Sequence, residues 1–201
     1  MKQRYGVEAT NKISHICQIS IIMSIFFATH SIDFLYSSKI YLFNIDIIFL
    51  DLFALASYII ILVILLNPSI IKDLKLRFII VSIISFIFFI VIMYYGVNYA
   101  IDPMNYFVTL EDTWYKKQNL DRIKEFQRIF QCCNFQPTII DSANECHHGF
   151  KTPCIKYLLK HQSNSIIITG MCRILQAIAH ALVFSTSFGF AISIKESNPF
   201  S

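Results

Sequence analysis

Residues 130–135 read Phe-Gln-Cys-Cys-Asn-Phe and lie in the only long hydrophilic segment of an otherwise apolar chain. Adjacent cysteines such as Cys132 and Cys133 rarely bond each other without strain, so each is expected to bond a different partner. The same segment contains two more cysteines, Cys146 and Cys154. Of the three ways to pair four cysteines, two remain once the bond between neighbours is set aside. The sequence therefore predicts two disulfides in one small domain.

The rest of the chain has the composition of a membrane protein. Apolar residues make up 55% of the 201 residues, and they are concentrated in blocks, which excludes an ordinary soluble domain. Residues 78–97 carry no charge over a length that crosses a hydrocarbon core of about 30 Å as a helix. Three further blocks, at 13–32, 45–66 and 166–194, are long enough but contain polar residues. Four transmembrane helices are therefore predicted.

The first of these blocks also has one feature of a signal peptide, because Lys2, Arg4 and Lys12 precede it. Its apolar run exceeds the usual core of about 7 to 15 residues, and it lacks a cleavage site formed by small residues. We therefore expect it to remain as the first span.

The distribution of Lys and Arg predicts the orientation, since basic residues resist translocation. Lys2, Arg4 and Lys12 precede the first span, and Lys72, Lys75 and Arg77 precede the third, whereas the connection between the first two spans has only Lys39. We expect segments 1–12, 67–77 and 195–201 to be cytosolic. A small extracellular loop at 33–44 and a large one at 98–165 follow. The paired cysteines would then lie in an oxidising compartment, where disulfides persist.

The large loop has the pattern of a helical domain. The apolar residues of its central part recur at steps of three and four, as in an amphipathic helix that buries one face; they are Leu120, Ile123, Phe126, Ile129 and Phe130. Thr109 is a candidate start for an earlier helix, and Thr152-Pro153 supplies a cap and a first-turn proline for a short helix at 154–161. Residues 134–150 show little periodicity and are expected to be exposed and to face partners.

A zinc site is the alternative to disulfides, because His147 and His148 follow Cys146 directly. Vicinal cysteines, however, lack the usual spacing of two to four residues between zinc-binding cysteines. No metal site is predicted.

Taken together, these features resemble the tetraspanin family. Four spans with cytosolic ends, a small and then a large outer loop, and a vicinal cysteine pair after an amphipathic helix cover nearly the whole chain. The last cysteine opens a short helix that leads into the final span. The resemblance implies that Cys132 bonds Cys154 and that Cys133 bonds Cys146.

Three departures from the family pattern are visible. The family places glycine after the vicinal pair, whereas this chain has Asn134, a residue that tolerates a left-handed backbone better than most. The second span lacks the glycine- and cysteine-rich inner end, and the third span has no carboxylate.

The fold class implied by the resemblance is an all-α membrane protein, a four-transmembrane-helix bundle with a small helical, disulfide-stapled extracellular domain. The expected function is a scaffold that laterally organises membrane proteins in cis, other tetraspanins among them, with roles in adhesion, trafficking or vesicles. The family also implies a lipid or sterol between the spans. The expected location is the plasma membrane or endosomal and secretory vesicles.

Asp51 and Arg173 are charged residues that lie well inside predicted spans. If the second span enters from outside at residue 45 and the fourth at 166, Asp51 and Arg173 lie roughly 9 and 10 Å below the outer edge, by the helical rise per residue. We therefore predict an intramembrane ion pair, the alternative being that both side chains extend to the outer interface. Gln18 and His180 are expected in the inner half, where they can hydrogen-bond across helices.

The alternative function is a small channel or transporter subunit in which Asp51, Arg173 and His180 line a polar path. An enzyme is not expected, because the chain lacks Cys-x-x-Cys pairs, Gly-rich phosphate loops, His-Glu-x-x-His and Gly-x-Ser-x-Gly. No cofactor and no nucleic acid partner are expected.

Two further hypotheses concern the cytosolic side. Cys17 lies one to two turns into the first span, where S-palmitoylation is chemically reasonable, the alternative being that it packs as a small apolar residue. Asn198-Pro199-Phe200 resembles the motif that presents a phenylalanine to EH domains of endocytic adaptors. The alternative for that tail is a charged end with a proline turn.

Overall fold

The structure is a computed structural model that describes residues 2–39, 46–71, 73–115, 120–135 and 152–193. All regular secondary structure in these residues is helical: α1 (Lys2–Ser38), α2 (Asp46–Leu66), α3 (Leu74–Ile101), α4 (Pro103–Trp114), α5 (Leu120–Phe130) and α6 (Cys154–Ser193). Four of these helices, α1, α2, α3 and α6, are long and apolar enough to cross a membrane. The prediction of an all-helical chain with four such helices is confirmed.

Helices α1 and α3 extend beyond the predicted spans 13–32 and 78–97, and α1 continues to Ser38, into the predicted loop 33–44. The boundaries of α4 and α6 differ from the predicted ones as well. Helix α4 begins at Pro103, because the Asp102 carboxylate accepts a hydrogen bond from Met104 N at 3.1 Å and proline suits the first helical position. Thr109 lies inside this helix, where its hydroxyl donates to Tyr106 O at 2.6 Å; the prediction that a helix starts there is wrong.

Helix α6 is one continuous helix of 40 residues from Cys154 to Ser193. The sequence predicted a short helix at 154–161 and a separate span from 166. No proline follows Pro153 within the helix, so every interior residue has an N–H to donate and no clash breaks the turn. The two predicted pieces therefore join.

Two compact units make up the chain, and the first contains the described parts of Met1–Thr29, Phe49–Tyr95 and Cys172–Ser201. On α1 five buried residues of this unit recur at alternating steps of four and three, which keeps one stripe facing the neighbouring helices; they are Ile13, Cys17, Ser20, Ser24 and Phe27. Large apolar side chains such as Ile22 and Phe26 point outward and are 69% and 71% exposed. An apolar exterior of this kind suits contact with hydrocarbon rather than water.

The second unit comprises His30–Ile48 and Gly96–Met171, again within the described residues. Its core is aromatic: the Trp114 ring lies 5.4 Å from Phe126 and 5.3 Å from Phe135, measured between centroids. Cys132 and Cys154 are buried in the same cluster. This core therefore holds α4, α5 and the start of α6 around the cysteines.

The apolar stripe predicted on α5 and the face that α5 actually buries share only some of their residues. Ile123 and Phe126 are buried, but Ile129 is 41% exposed, and Gln127 is buried in its place. A helix buries a set of positions fixed by its rotation about its own axis. Here that rotation turns Ile129 outward, so the prediction that Ile129 belongs to the core is wrong.

Candidate functional site

Three polar residues on α6 lie on one face of the helix within the first unit. Arg173, Gln176 and His180 are spaced three and four residues apart, so their side chains project in the same direction. All three are buried, with at most 2% of their surface exposed. We call these residues and their partners on α1 and α2 the polar seam.

The first contact of the polar seam joins Arg173 to Asp51 on α2. Arg173 Nε lies 3.8 Å from Asp51 Oδ1, and the two side chains are 1% and 2% exposed. The structure thus brings together the two residues that depth alone suggested would meet. Neither side chain extends to the surface of the unit.

The second contact involves both ends of Gln176. Its side-chain Nε2 donates to Ser24 Oγ on α1 at 3.1 Å, and its backbone carbonyl accepts from the Tyr58 hydroxyl on α2 at 2.9 Å. One residue of α6 therefore bonds both α1 and α2. Hydrogen bonds of this kind hold helices together where no water is available.

The third contact joins His180 to Ser57 on α2. His180 Nε2 lies 3.2 Å from the Ser57 hydroxyl oxygen, and the same hydroxyl donates to Ala54 O at 2.6 Å. Because a hydroxyl has one proton to donate, Ser57 accepts from His180 when the imidazole carries its proton on Nε2.

Aromatic rings enclose that imidazole. Tyr58 stacks on His180 with centroids 4.2 Å apart and planes 10° apart, and Phe88 lies 5.5 Å away with planes 21° apart. Among the described residues His180 Nδ1 is buried without a hydrogen-bond partner. The ring is thus held by stacking and by a single hydrogen bond.

The sequence did not identify Ser24, Ser57 or Tyr58 as partners in the polar seam. Serines are common in the spans, and no single one stands out by type. The available signal was the alternating spacing of Cys17, Ser20 and Ser24 on α1, which indicates one buried face. Gln18, which was expected to bond across helices, lies on the exposed face.

In the second unit, Cys132 and Cys154 form a disulfide, with their Cα atoms 4.9 Å apart. Both residues are buried. Cys133 is disulfide-bonded as well, and the partner predicted for it, Cys146, lies outside the described residues. The disulfide joins the segment that follows α5 to the first residue of α6.

Backbone hydrogen bonds run alongside this disulfide. Cys133 N donates to Thr152 O at 2.8 Å, and Cys154 N donates to Asn134 O at 2.8 Å. Asn134 has a φ of 53°, in the left-handed region. Asparagine is among the few residues that adopt this conformation at low cost.

Gln131 ends α5 in a similar conformation, with a φ of 50°. Cys132 N donates to Gln127 O at 3.2 Å, a bond from the second residue beyond the helix to its last turn. This is the Schellman arrangement that commonly closes a helix. It turns the chain so that Cys132 enters the core immediately after α5.

The remaining candidates lie apart from these two regions. Cys17 is fully buried in the first unit. This burial is what packing as a small apolar residue, the alternative to S-palmitoylation, would require. S-palmitoylation of Cys17 stays a prediction. Among the described residues no cluster of His, Cys, Asp and Glu is arranged to hold a metal ion. The tail motif Asn198-Pro199-Phe200 lies outside the described residues.

No family model, curated protein or solved structure matches this chain. The geometry of the polar seam and of the disulfide region is therefore the basis for any functional proposal.

Proposed function

We propose that the protein is a tetraspanin-like membrane scaffold that laterally organises partner proteins through a large extracellular loop and through its transmembrane faces. The observation that carries this proposal is the buried disulfide between Cys132 and Cys154. It connects the end of the amphipathic helix to the start of the helix that leads into the last span. The family resemblance implies the same connection.

The backbone contacts beside the disulfide support a role in recognition. Thr152 accepts a hydrogen bond from Cys133, and Phe135 accepts one from Ile155 at 3.2 Å. Both ends of the segment 136–151 are thereby attached to one core. A loop whose ends are fixed loses less conformational entropy on binding than a free one. We assign partner recognition to this segment rather than to the whole of 134–150, because Phe135 is buried in the core and its predicted exposure is wrong.

The polar seam supports a packing role for the spans. Arg173, Gln176 and His180 each contact a group on α1 or α2, as polar residues that fasten transmembrane helices do. In the proposed topology both chain ends and segment 67–77 face the cytosol. The protein would reside in the plasma membrane or in endosomal or secretory vesicles, where EH-domain adaptors can reach its tail.

A small channel or transporter subunit is the second candidate. It is favoured by the presence of three ionisable side chains, Asp51, Arg173 and His180, inside one membrane-spanning unit, because such residues are expensive in lipid and commonly functional. Ion flux into reconstituted vesicles that disappears in Asp51→Asn would favour this candidate over the scaffold.

The scaffold proposal is tested by replacing residues 136–151 with a Gly/Ser linker of equal length that keeps Cys146 in place. Crosslinking on intact cells, followed by affinity purification, should recover partners with the wild type and lose them with the linker variant. A matched control changes exposed residues of α5, Lys124→Ala with Glu125→Ala, and should keep the partners.

Two results would contradict the scaffold proposal. One is an unchanged set of partners for a linker variant that reaches the cell surface normally. The other comes from peptide mapping without reductant: a Cys133 bonded to any cysteine other than Cys146 would remove the family resemblance on which the proposal depends.

A further inference from the structure

A recess lies between α3 and α6 on the exterior of the first unit. Its volume is about 440 Å³, within the range of about 300 to 1,000 Å³ that is typical of sites for small molecules. Its walls are apolar, and the residues that define its shape are Ile79, Ile83, Phe86, Phe184, Phe188 and Ala191. We call this recess the α3–α6 groove.

The length of the groove corresponds to one leaflet of a bilayer. Along α3 it extends from Lys75 to Ile87, which at 1.5 Å per residue is about 18 Å. Half of a hydrocarbon core is about 15 Å thick. The end of the groove that is farthest from Lys75 contains Phe86 and Phe184, whose ring centroids are 5.2 Å apart. An extended alkyl chain that enters at Lys75 would therefore end near these rings.

One cation lies at the near end of the groove. Lys75 is half-buried and lines the recess, and within the described part of the chain its ammonium group has no ion pair. The nearby Asp73 carboxylate instead accepts from the backbone N–H groups of Lys75 and Leu76, at 2.9 and 3.4 Å. Lys12, by contrast, pairs with Glu8 at 3.0 Å. Among the described residues, the rim of the groove thus offers a positive charge that no carboxylate pairs with.

We propose that the α3–α6 groove binds one acyl chain of an anionic phospholipid whose phosphate contacts Lys75. The apolar walls match the chain, the length matches one leaflet, and the cation matches the charge of the headgroup. A sterol would leave Lys75 without a counter-ion. The binding requires only that α3 and α6 span a membrane, and it does not depend on the scaffold function.

The charge at the rim should produce a preference among headgroups. One basic residue near the surface of an anionic membrane is worth about a fivefold change in affinity. In the topology proposed above, Lys75 faces the cytosolic leaflet, which is the leaflet rich in anionic lipids. The assignment of Lys75 to the cytosolic leaflet rests on the proposed topology, whereas the preference for anionic headgroups is a property of the groove itself.

The test is native mass spectrometry of the full-length protein after exchange into an equimolar mixture of phosphatidylserine, phosphatidylcholine and cholesterol. The wild type should retain one phosphatidylserine about five times more often than phosphatidylcholine. Lys75→Gln should bring that ratio close to one, and Lys75→Arg should preserve it. Ala191→Phe should fill the groove and remove the bound lipid.

Matched controls are available on surfaces outside the groove. Lys12→Gln removes a cation on the exposed face of α1, and Ile178→Phe enlarges an exposed residue of α6 elsewhere; neither should alter the lipid retained. The wild-type preference should also fall at high ionic strength, which provides a readout without any substitution. Retention of cholesterol in place of phospholipid, an unchanged ratio in Lys75→Gln, or full lipid retention in Ala191→Phe would each overturn the proposal.

Discussion

Arg173 on α6 and Asp51 on α2 form an ion pair inside the first unit, with Nε and Oδ1 3.8 Å apart and both side chains at most 2% exposed. Neither group can exchange its partner for water while the unit stays folded. The attraction between the two charges therefore stabilises both of them in the buried position. The contact holds α2 against α6 at the depth of Asp51 and Arg173.

Breaking this ion pair should destabilise the protein strongly. Asp51→Arg and Arg173→Asp each leave like charges buried together, and removal of one partner of a buried pair typically costs about 3 to 5 kcal/mol. The double variant with exchanged charges should recover a large part of the loss. Thermal unfolding in detergent and surface expression would measure both effects.

The exposed pair of Glu8 and Lys12 serves as the control for that experiment. Their side chains are more than half exposed, so Glu8→Gln should change stability by no more than about 0.5 kcal/mol. Wild-type stability in both single variants of the buried pair would show that the pair does not hold α2 and α6 together.

Gly170 should not tolerate a side chain. A Cβ atom there would lie 2.5 Å from Ala100 N and 2.8 Å from Gly96 O, both of them backbone atoms of α3. Backbone cannot move aside as a side chain can, so Gly170→Ala should separate α3 from α6 locally and destabilise the protein by about 1 to 3 kcal/mol. The shift in the thermal unfolding midpoint measures this.

Gly189 on the same helix provides the comparison. A Cβ atom at that position would meet nothing within 4 Å, and alanine forms helices better than glycine by about 1 kcal/mol. Gly189→Ala should therefore leave stability equal or higher. Equal effects of the two substitutions would rule out close packing at Gly170.

At position 134, glycine should give a more stable protein than any branched residue. The left-handed φ of 53° at this position is free of strain for glycine and costs about 1 to 2 kcal/mol for an ordinary side chain. Asn134→Gly should therefore match or exceed wild-type stability, and Asn134→Val should lower it and reduce the yield of the disulfide between Cys132 and Cys154. Unfolding and thiol titration would measure the two effects.

Asn164, which lies in the right-handed helix α6, should respond in the opposite sense. Asn164→Gly is expected to lower stability slightly, since glycine weakens a helix interior, whereas Asn164→Val should be nearly neutral. If glycine lowered stability at both positions, the left-handed conformation of Asn134 would not explain why asparagine occupies position 134.

The tail should take part in internalisation. Phe200→Ala removes the aromatic side chain that the Asn-Pro-Phe motif would present to an EH domain, so binding of the tail to that domain should be lost and uptake from the cell surface should slow. Glu196→Ala in the same tail should have no effect. Unchanged uptake in Phe200→Ala would leave the tail without this role.

Local patterns of residues were enough to predict the helical spans and the position of the disulfide region. The spans depend on long runs of apolar residues, and hydrophobicity over such a length is a property of neighbouring residues alone. The left-handed turn at Asn134 was expected only through the family resemblance, in which glycine follows the vicinal cysteine pair. The depth of Asp51 and Arg173 followed from helical rise, which depends only on counting residues.

Which side chains contact each other depends instead on how the helices pack in three dimensions. Ser24 and Ser57 do not differ in type from the other serines of the spans, and their selection by Gln176 and His180 depends on how α1, α2 and α6 are rotated about their axes. The same rotation on α5 buries Gln127 and exposes Ile129. The rotation of each helix is set by its packing against segments that are distant in sequence, so it cannot be predicted from a local sequence pattern.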